Sequence, residues 1–241
     1  MSIVVPAVLP LSHEDLNEKL DFFVQIPSVS RVQIDVVDGR FATPACWPFS
    51  AKATKGKPYS ELETMVQKKE MLPRLHDIEY EIDLMCTDAE LAAAAWLTLG
   101  ATRLTFHAES TANLPRLLAS ARRRYGGHEI ISFGLALNIM SDLALIEQCI
   151  DHIQYVQFMG ISRIGRQGQP FDERVFEKVR IFHTRHPDIP IQVDGGIALE
   201  SAKKLLSLGV STLIIGSSIL KSGDPVAAIA AFEALPTPYG V

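Results

Sequence analysis

Short apolar runs alternate with longer amphipathic segments along nearly the whole chain, and this alternation predicts strands followed by helices. Residues 3–9 read as a strand and 13–23 as a helix behind Ser12, whose hydroxyl suits an N-cap. A second strand opens the stretch 32–41, V-Q-I-D-V-V-D-G-R-F. Residues 42–59 mix Pro, Lys and aromatic residues without period and read as a long loop, a class of segment that is often functional. A helix over 60–69 follows, then a strand over 79–85 and a helix over 88–99 closed by Gly100. The same rhythm gives a strand at 103–107 and a helix at 113–125 stopped by Gly126-Gly127. It continues with strands at 130–137, 155–159, 189–193 and 212–215 and helices at 143–150, 173–186, 199–208 and 225–234.

Eight strand-helix units favour parallel strands joined by helical crossovers, and in about this length they fit one closed (β/α)8 barrel of the TIM type, a single domain over 1–241. An open doubly wound sheet is the competing arrangement. Against it, no G-x-G-x-x-G follows the first strand.

Composition narrows the partners. The chain has 241 residues, 47% of them hydrophobic, enough for one large core. A net charge of −5 with no long basic stripe argues against nucleic acid. The densest basic run, Arg122-Arg123-Arg124, falls near the end of a predicted helix, where cations suit the macrodipole. No basic-plus-apolar leader and no run of membrane-spanning length is evident, so no membrane partner is expected. Cys46, Cys86 and Cys149 are odd in number and widely separated, which fits a reduced, cytoplasmic setting.

The candidate chemistry sits at strand ends. In an extended segment, residues two apart share a face, so Gln33 and Asp35 point one way while Val32, Ile34 and Val36 point the other. Glu81-Ile82-Asp83 and Gln192-Val193-Asp194 repeat the pattern. In a barrel the functional residues sit at the C-terminal ends of strands, so three acids from three strands are expected to converge. A strand-terminal aspartate also caps turns, and Asp38, before Gly39, is read that way. Gly195-Gly196 and Gly216-Ser217 follow the last two strands, where glycine lets backbone N–H groups approach a phosphate. Residues 160–171, with Gly165-Arg166-Gln167-Gly168-Gln169, form a glycine-bearing loop able to close over a ligand. His107 shares a face with Thr105 and is read as a packing or pocket residue, because no carboxylate or histidine lies at ligand spacing from it.

Taken together, these stretches resemble the ribulose-phosphate 3-epimerase family from Pro6 to about Leu220. Residues 33–39, Q-I-D-V-V-D-G, resemble the family's H-I-D-V-M-D-G, and Asp83-Leu84-Met85 its H-L-M. Phe106-His107-Ala108-Glu109 matches F-H-x-E, and residues 134–138 resemble the stretch along its fifth strand. Met159 followed by Gly168-Gln169-Pro170-Phe171 resembles M-x-V-x-P-G-x-G-G-Q-x-F with one extra residue. Residues 193–197 match V-D-G-G-I, and Gly216-Ser217 the G-S of the phosphate site. The departures are Gln33 and Asp83 at the family's two histidine positions, Ala7 in place of a serine, and a loop after strand two expanded around Trp47.

The resemblance implies an isomerase that interconverts D-ribulose 5-phosphate and D-xylulose 5-phosphate, with Asp35 and Asp194 as alternating acid and base at C3. It implies Met85 and Met159 over the sugar, and Gly168, Gln169, Gly195, Gly196, Gly216 and Ser217 around the substrate and its phosphate. It also implies a divalent metal ion as cofactor, held by Gln33, Asp35, Asp83 and Asp194. With the imidazoles replaced, oxygen ligands favour manganese or magnesium over zinc. The expected partner is a small phosphorylated ketose, with room left for a homo-oligomer. Two alternatives stay open: an epimerase of another ketose phosphate, such as a hexulose phosphate, and a sugar-phosphate-binding barrel without catalysis.

Overall fold

The apolar runs pair side by side because neither face of such a strand tolerates water. In the computed structural model, which describes residues 3–49, 60–126 and 130–236, eight parallel strands close on themselves in chain order. They are β1 (Val4–Val8), β2 (Arg31–Val37), β3 (Glu79–Met85), β4 (Arg103–His107), β5 (Ser132–Leu137), β6 (Tyr155–Met159), β7 (Ile191–Asp194) and β8 (Thr212–Ile215). At least one helix follows each: α1 (His13–Phe23), α2 (Ser60–Lys68), α3 (Ala89–Thr98), α4 (Leu114–Tyr125), α5 (Ala144–Glu147), α6 (Arg174–Arg185), α7 (Leu199–Ser207), α8 (Ser217–Leu220) and α9 (Pro225–Glu233). This is the closed (β/α)8 barrel that the alternation predicts.

Local chemistry sets the helix ends. Ser12 Oγ accepts from the Asp15 N–H at 3.1 Å, and Asn113 Oδ1 from the Arg116 N–H at 3.1 Å. Arg122, Arg123 and Arg124 do occupy the last turn of α4, ahead of Gly126. The helix expected over 143–150 is shorter. It breaks into α5 and a single 3-10 turn, Ile150–His152, because the fully buried Cys149 leaves helical geometry at φ −118°. Residues 42–49 carry neither helix nor strand, as expected, and the rest of that loop lies outside the described residues.

Two cores result. Outward-facing Val32, Ile34, Val36, Ile82, Leu84, Phe106, Phe133 and Phe158 pack against helix residues such as Leu16, Leu20, Trp96 and Phe182. The lumen is different. Layers of branched aliphatic side chains are usual there, yet here Gln33, Asp35, Glu81, Asp83, Thr105, His107, Gln157, Gln192 and Asp194 are all buried. The β1 and β8 side, with Val5, Ala7 and Ile214, is apolar, and Ala136 of β5 and Met159 of β6 form a second apolar patch. Gly134 belongs to this packing, since a Cβ there would run into the Tyr155 ring. The space lets the Tyr155 hydroxyl reach Thr105 Oγ1 at 2.8 Å. Trp47, the centre of the expanded loop, is buried against the barrel, stacked on His13 and edge-on to Trp96. Among the described residues no helix is long and apolar enough to cross a membrane.

Candidate active site

Strand register brings the acids together. Asp35 of β2 lies directly beside Asp83 of β3, and Asp194 closes β7. All three are buried, and one oxygen from each lies within 4.8 Å of the others. The Gln33 side chain sits among them: its Nε2 donates to Asp35 Oδ1 at 2.9 Å and to Asp194 Oδ2 at 3.1 Å. The convergence expected from strand alternation is therefore present.

Asp83 is held differently. Its Oδ1 pairs with His107 Nε2 at 2.9 Å, and its Oδ2 accepts from Gln157 Nε2 at 3.0 Å. A carboxylate thus does lie beside His107, contrary to the reason given for setting that residue aside. The pairing crosses two strands, so spacing within one strand does not reveal it. Gln157 and Gln192 also belong to the site's support, with Gln192 Nε2 donating to Gln157 Oε1 at 2.7 Å. The signal for both was available, since each lies two residues before a strand-terminal residue already singled out, Met159 or Asp194.

Crowding of like charge in a dry place has a direct electrostatic result. Burial, followed by the neighbouring Asp83 charge, lifts the Asp35 carboxyl to about 8. Burial, with Asp35 and Asp83 adding to it, lifts Asp194 well above the ordinary carboxylate range. For His107, burial disfavours the imidazolium, but the Asp83 carboxylate outweighs it and raises the pKa.

The donor set fits a divalent cation. Three carboxylates supply oxygens, and Gln33 Oε1 is buried with no hydrogen-bond partner, although buried polar atoms are rarely left so. The group of acids at this mouth is one that can bind a metal.

Beside the acids lies a pocket lined by Ala7, Met85, Met159, Gly168, Gln169, Gly195, Gly196, Gly216 and Ser217. Every residue expected at the site is thereby placed at one end of the barrel. The 160–171 loop already covers this mouth. Arg166 Nε donates to the Thr43 carbonyl at 3.0 Å and Gln167 Nε2 to the Ala7 carbonyl at 3.2 Å. Two glycines admit it: a Cβ on Gly196, at φ +68°, would stand 2.8 Å from the Phe171 backbone, and one on Gly216 would stand 2.6 Å from Gln167 Nε2. The space at these glycines is taken up by the loop, a reason for them besides the approach of an anion. Asp38 has the turn role expected of it, accepting from the N–H groups of Arg40 and Phe41 at 2.7 Å each.

The model of the "Ribulose-phosphate 3 epimerase family" matches residues 61–220, the span that carries β3 to β8 and the mouth loop. The chain belongs to that family. Its identity to individual epimerases is modest. It is 27% identical over 237 residues to the ribulose-phosphate 3-epimerase of Mycobacterium leprae, covering 96% of this chain and 93% of that one. It is 28% identical over 153 residues to the Buchnera aphidicola enzyme, covering 62% and 64%. The barrel also resembles 3-hexulose-6-phosphate synthase from Salmonella typhimurium, with a TM-score of 0.66 at 16% identity and 98% of each chain covered, a likeness of fold. The chain is thus a member of a family of isomerases. Gln33 and Asp83, the two departures noted in the sequence resemblance, are here an amide clamp between two acids and a histidine-paired acid.

Proposed function

We propose that this protein interconverts D-ribulose 5-phosphate and D-xylulose 5-phosphate by two-base proton transfer at C3. The observation that carries the reading is the pair Asp35 and Asp194. These are buried carboxylates on β2 and β7, bridged by one amide, with proton affinities raised above the ordinary carboxylate range. A carboxylate removes the C3 proton, and the electron pair left behind moves into an ene-diolate with the C2 oxygen. The second carboxyl returns a proton to the opposite face of C3, which inverts the carbon. The protein then holds one proton as before, on the other aspartate, and the reverse reaction restores it. A residue works best in such a role when its pKa lies near the operating pH, and Asp35, lifted to about 8, meets that condition.

Gln33, Asp35, Asp83 and Asp194 would hold the divalent cation, with manganese or magnesium favoured by the all-oxygen donor set. Bound there, it supplies Lewis-acid stabilisation of negative charge on the substrate oxygens. Met85 and Met159 give the sugar an apolar wall. Backbone N–H groups around Gly195-Gly196 and Gly216-Ser217, with Gly168 and Gln169 from the loop, receive the phosphate. The test is incubation with D-ribulose 5-phosphate in D2O, with a hexulose 6-phosphate in parallel. Deuterium at C3 of the pentulose is expected. Labelling of the hexulose alone would move the activity to that substrate, and no labelling of either with any divalent metal would leave a binding protein.

A further inference from the structure

Gln167 has no role in the chemistry above, yet it reaches into the mouth from the covering loop. Its Nε2 is fixed on the Ala7 carbonyl at 3.2 Å, and the same nitrogen fills the space that a Cβ on Gly216 would need. Ala7 stands in register with Gln33, the residue that clamps the two acids, whereas Gly216 opens the segment after β8. The amide therefore spans the stretch between the acids and the glycine end of the pocket, and it is among the pocket's lining residues. With Nε2 committed to a carbonyl, the orientation of the amide is set and Oε1 is its acceptor. Among the described residues that oxygen has no hydrogen-bond partner. Strand β1 offers none of its own there, because Ala7 has no hydroxyl.

We infer that Gln167 is a specificity-determining residue delivered by the loop, whose side-chain carbonyl accepts a hydrogen bond from a sugar hydroxyl between the reacting carbon and the phosphate. For a 2-ketopentose 5-phosphate that group is the C4 hydroxyl. The inference rests on the sugar-phosphate reading above and adds to it the feature that the site recognises. It also makes recognition conditional on closure, since the amide is in place only while the loop lies across the mouth. A sugar lacking this hydroxyl would leave Oε1 of the half-buried Gln167 without the partner that the pentulose supplies, a loss on the scale of one hydrogen bond.

Two measurements test it, one of which needs no variant. With the unaltered protein, a 4-deoxypentulose 5-phosphate should bind on the order of tenfold more weakly than the pentulose phosphate, the scale of one hydrogen bond. In Gln167→Ala that difference between the two sugars should vanish, whatever loss common to both sugars and to inorganic phosphate the freed loop brings. A residue that only latches the loop would weaken the pentulose phosphate, the deoxy sugar and inorganic phosphate by one factor and leave the difference between the two sugars intact. That outcome, or equal binding of the two sugars by the unaltered protein, would overturn the inference. Calorimetry reads these affinities without turnover. Absence of deuterium exchange in the unaltered protein would therefore defeat the epimerase reading and leave the assignment of Gln167 to be decided by binding.

Discussion

The barrel lumen buries carboxylates at both ends, and the two ends treat them in opposite ways. At the floor, Glu81 accepts from Arg103 Nε at 3.0 Å, Thr105 Oγ1 at 3.1 Å and Gln192 Nε2 at 2.5 Å, with Arg31 a further ion-pair partner at 3.7 Å. Burial alone would raise its pKa, but the two guanidiniums overcome that and hold it below the ordinary value. At the mouth, Asp35 and Asp194 share a single neutral amide, and among the described residues no ion pair reaches either. Burial is nearly equal at the two ends. What differs is the compensating charge: the floor is electrostatically complete and the mouth is built to be completed by a ligand.

The contrast breaks first at the mouth. Asp35→Asn and Asp194→Asn keep the shape of the carboxyl but carry no transferable proton, so turnover should fall by about 10²- to 10⁴-fold. Thermal stability should hold, because each amide fills the same space and cannot take on the charge that burial and the neighbouring acids disfavour. Near wild-type turnover in either variant would show that the acid pair is not the proton carrier. Glu81→Gln should do the reverse. It strands Arg31 and Arg103 without their counter-charge and should cost about 3–5 kcal/mol of stability in denaturant titrations. A loss within about 0.5 kcal/mol would mean that the floor charges are solvated rather than paired.

These two ends were not equally legible in the sequence. Strand alternation alone places Asp35, Asp83 and Asp194 on inward faces at the same end of the barrel, because a period of two and the direction of parallel strands suffice for it. Glu81 shares that face, but its partners come from the starts of β2 and β4, and only the register of a closed barrel brings Arg31 and Arg103 to one carboxylate. The Asp83 and His107 pair is of the same kind, a contact between neighbouring strands offset by two residues. Trp47 shows the other limit. An aromatic residue in an aperiodic segment reads as loop, and nothing local announces that it will be buried against His13 and Trp96.

The smallest effect separates the two ends by pH. Glu81 has a lowered folded-state pKa, so its stabilisation is present above the unfolded value, ordinarily 4.5, and is lost as pH falls through the folded one. Asp35 has the opposite sign. Its folded-state value of about 8 lies above the ordinary 3.8, so between those limits the unfolded chain releases a proton that the folded protein retains. Its contribution is therefore complete below about pH 4 and declines as pH rises toward 8. Asp194, raised in the same direction, adds to the decline. Melting temperatures of chelator-treated protein should fall from pH 5 to pH 8, and Asp35→Asn should flatten that slope without touching the acid limb that Glu81 sets. Saturating manganese should flatten it too, because a cation among the three carboxylates favours their ionised forms in the folded state. A slope unchanged both by the substitution and by the metal would place its origin outside the mouth, and the difference between the two ends would then not lie in their uncompensated charge.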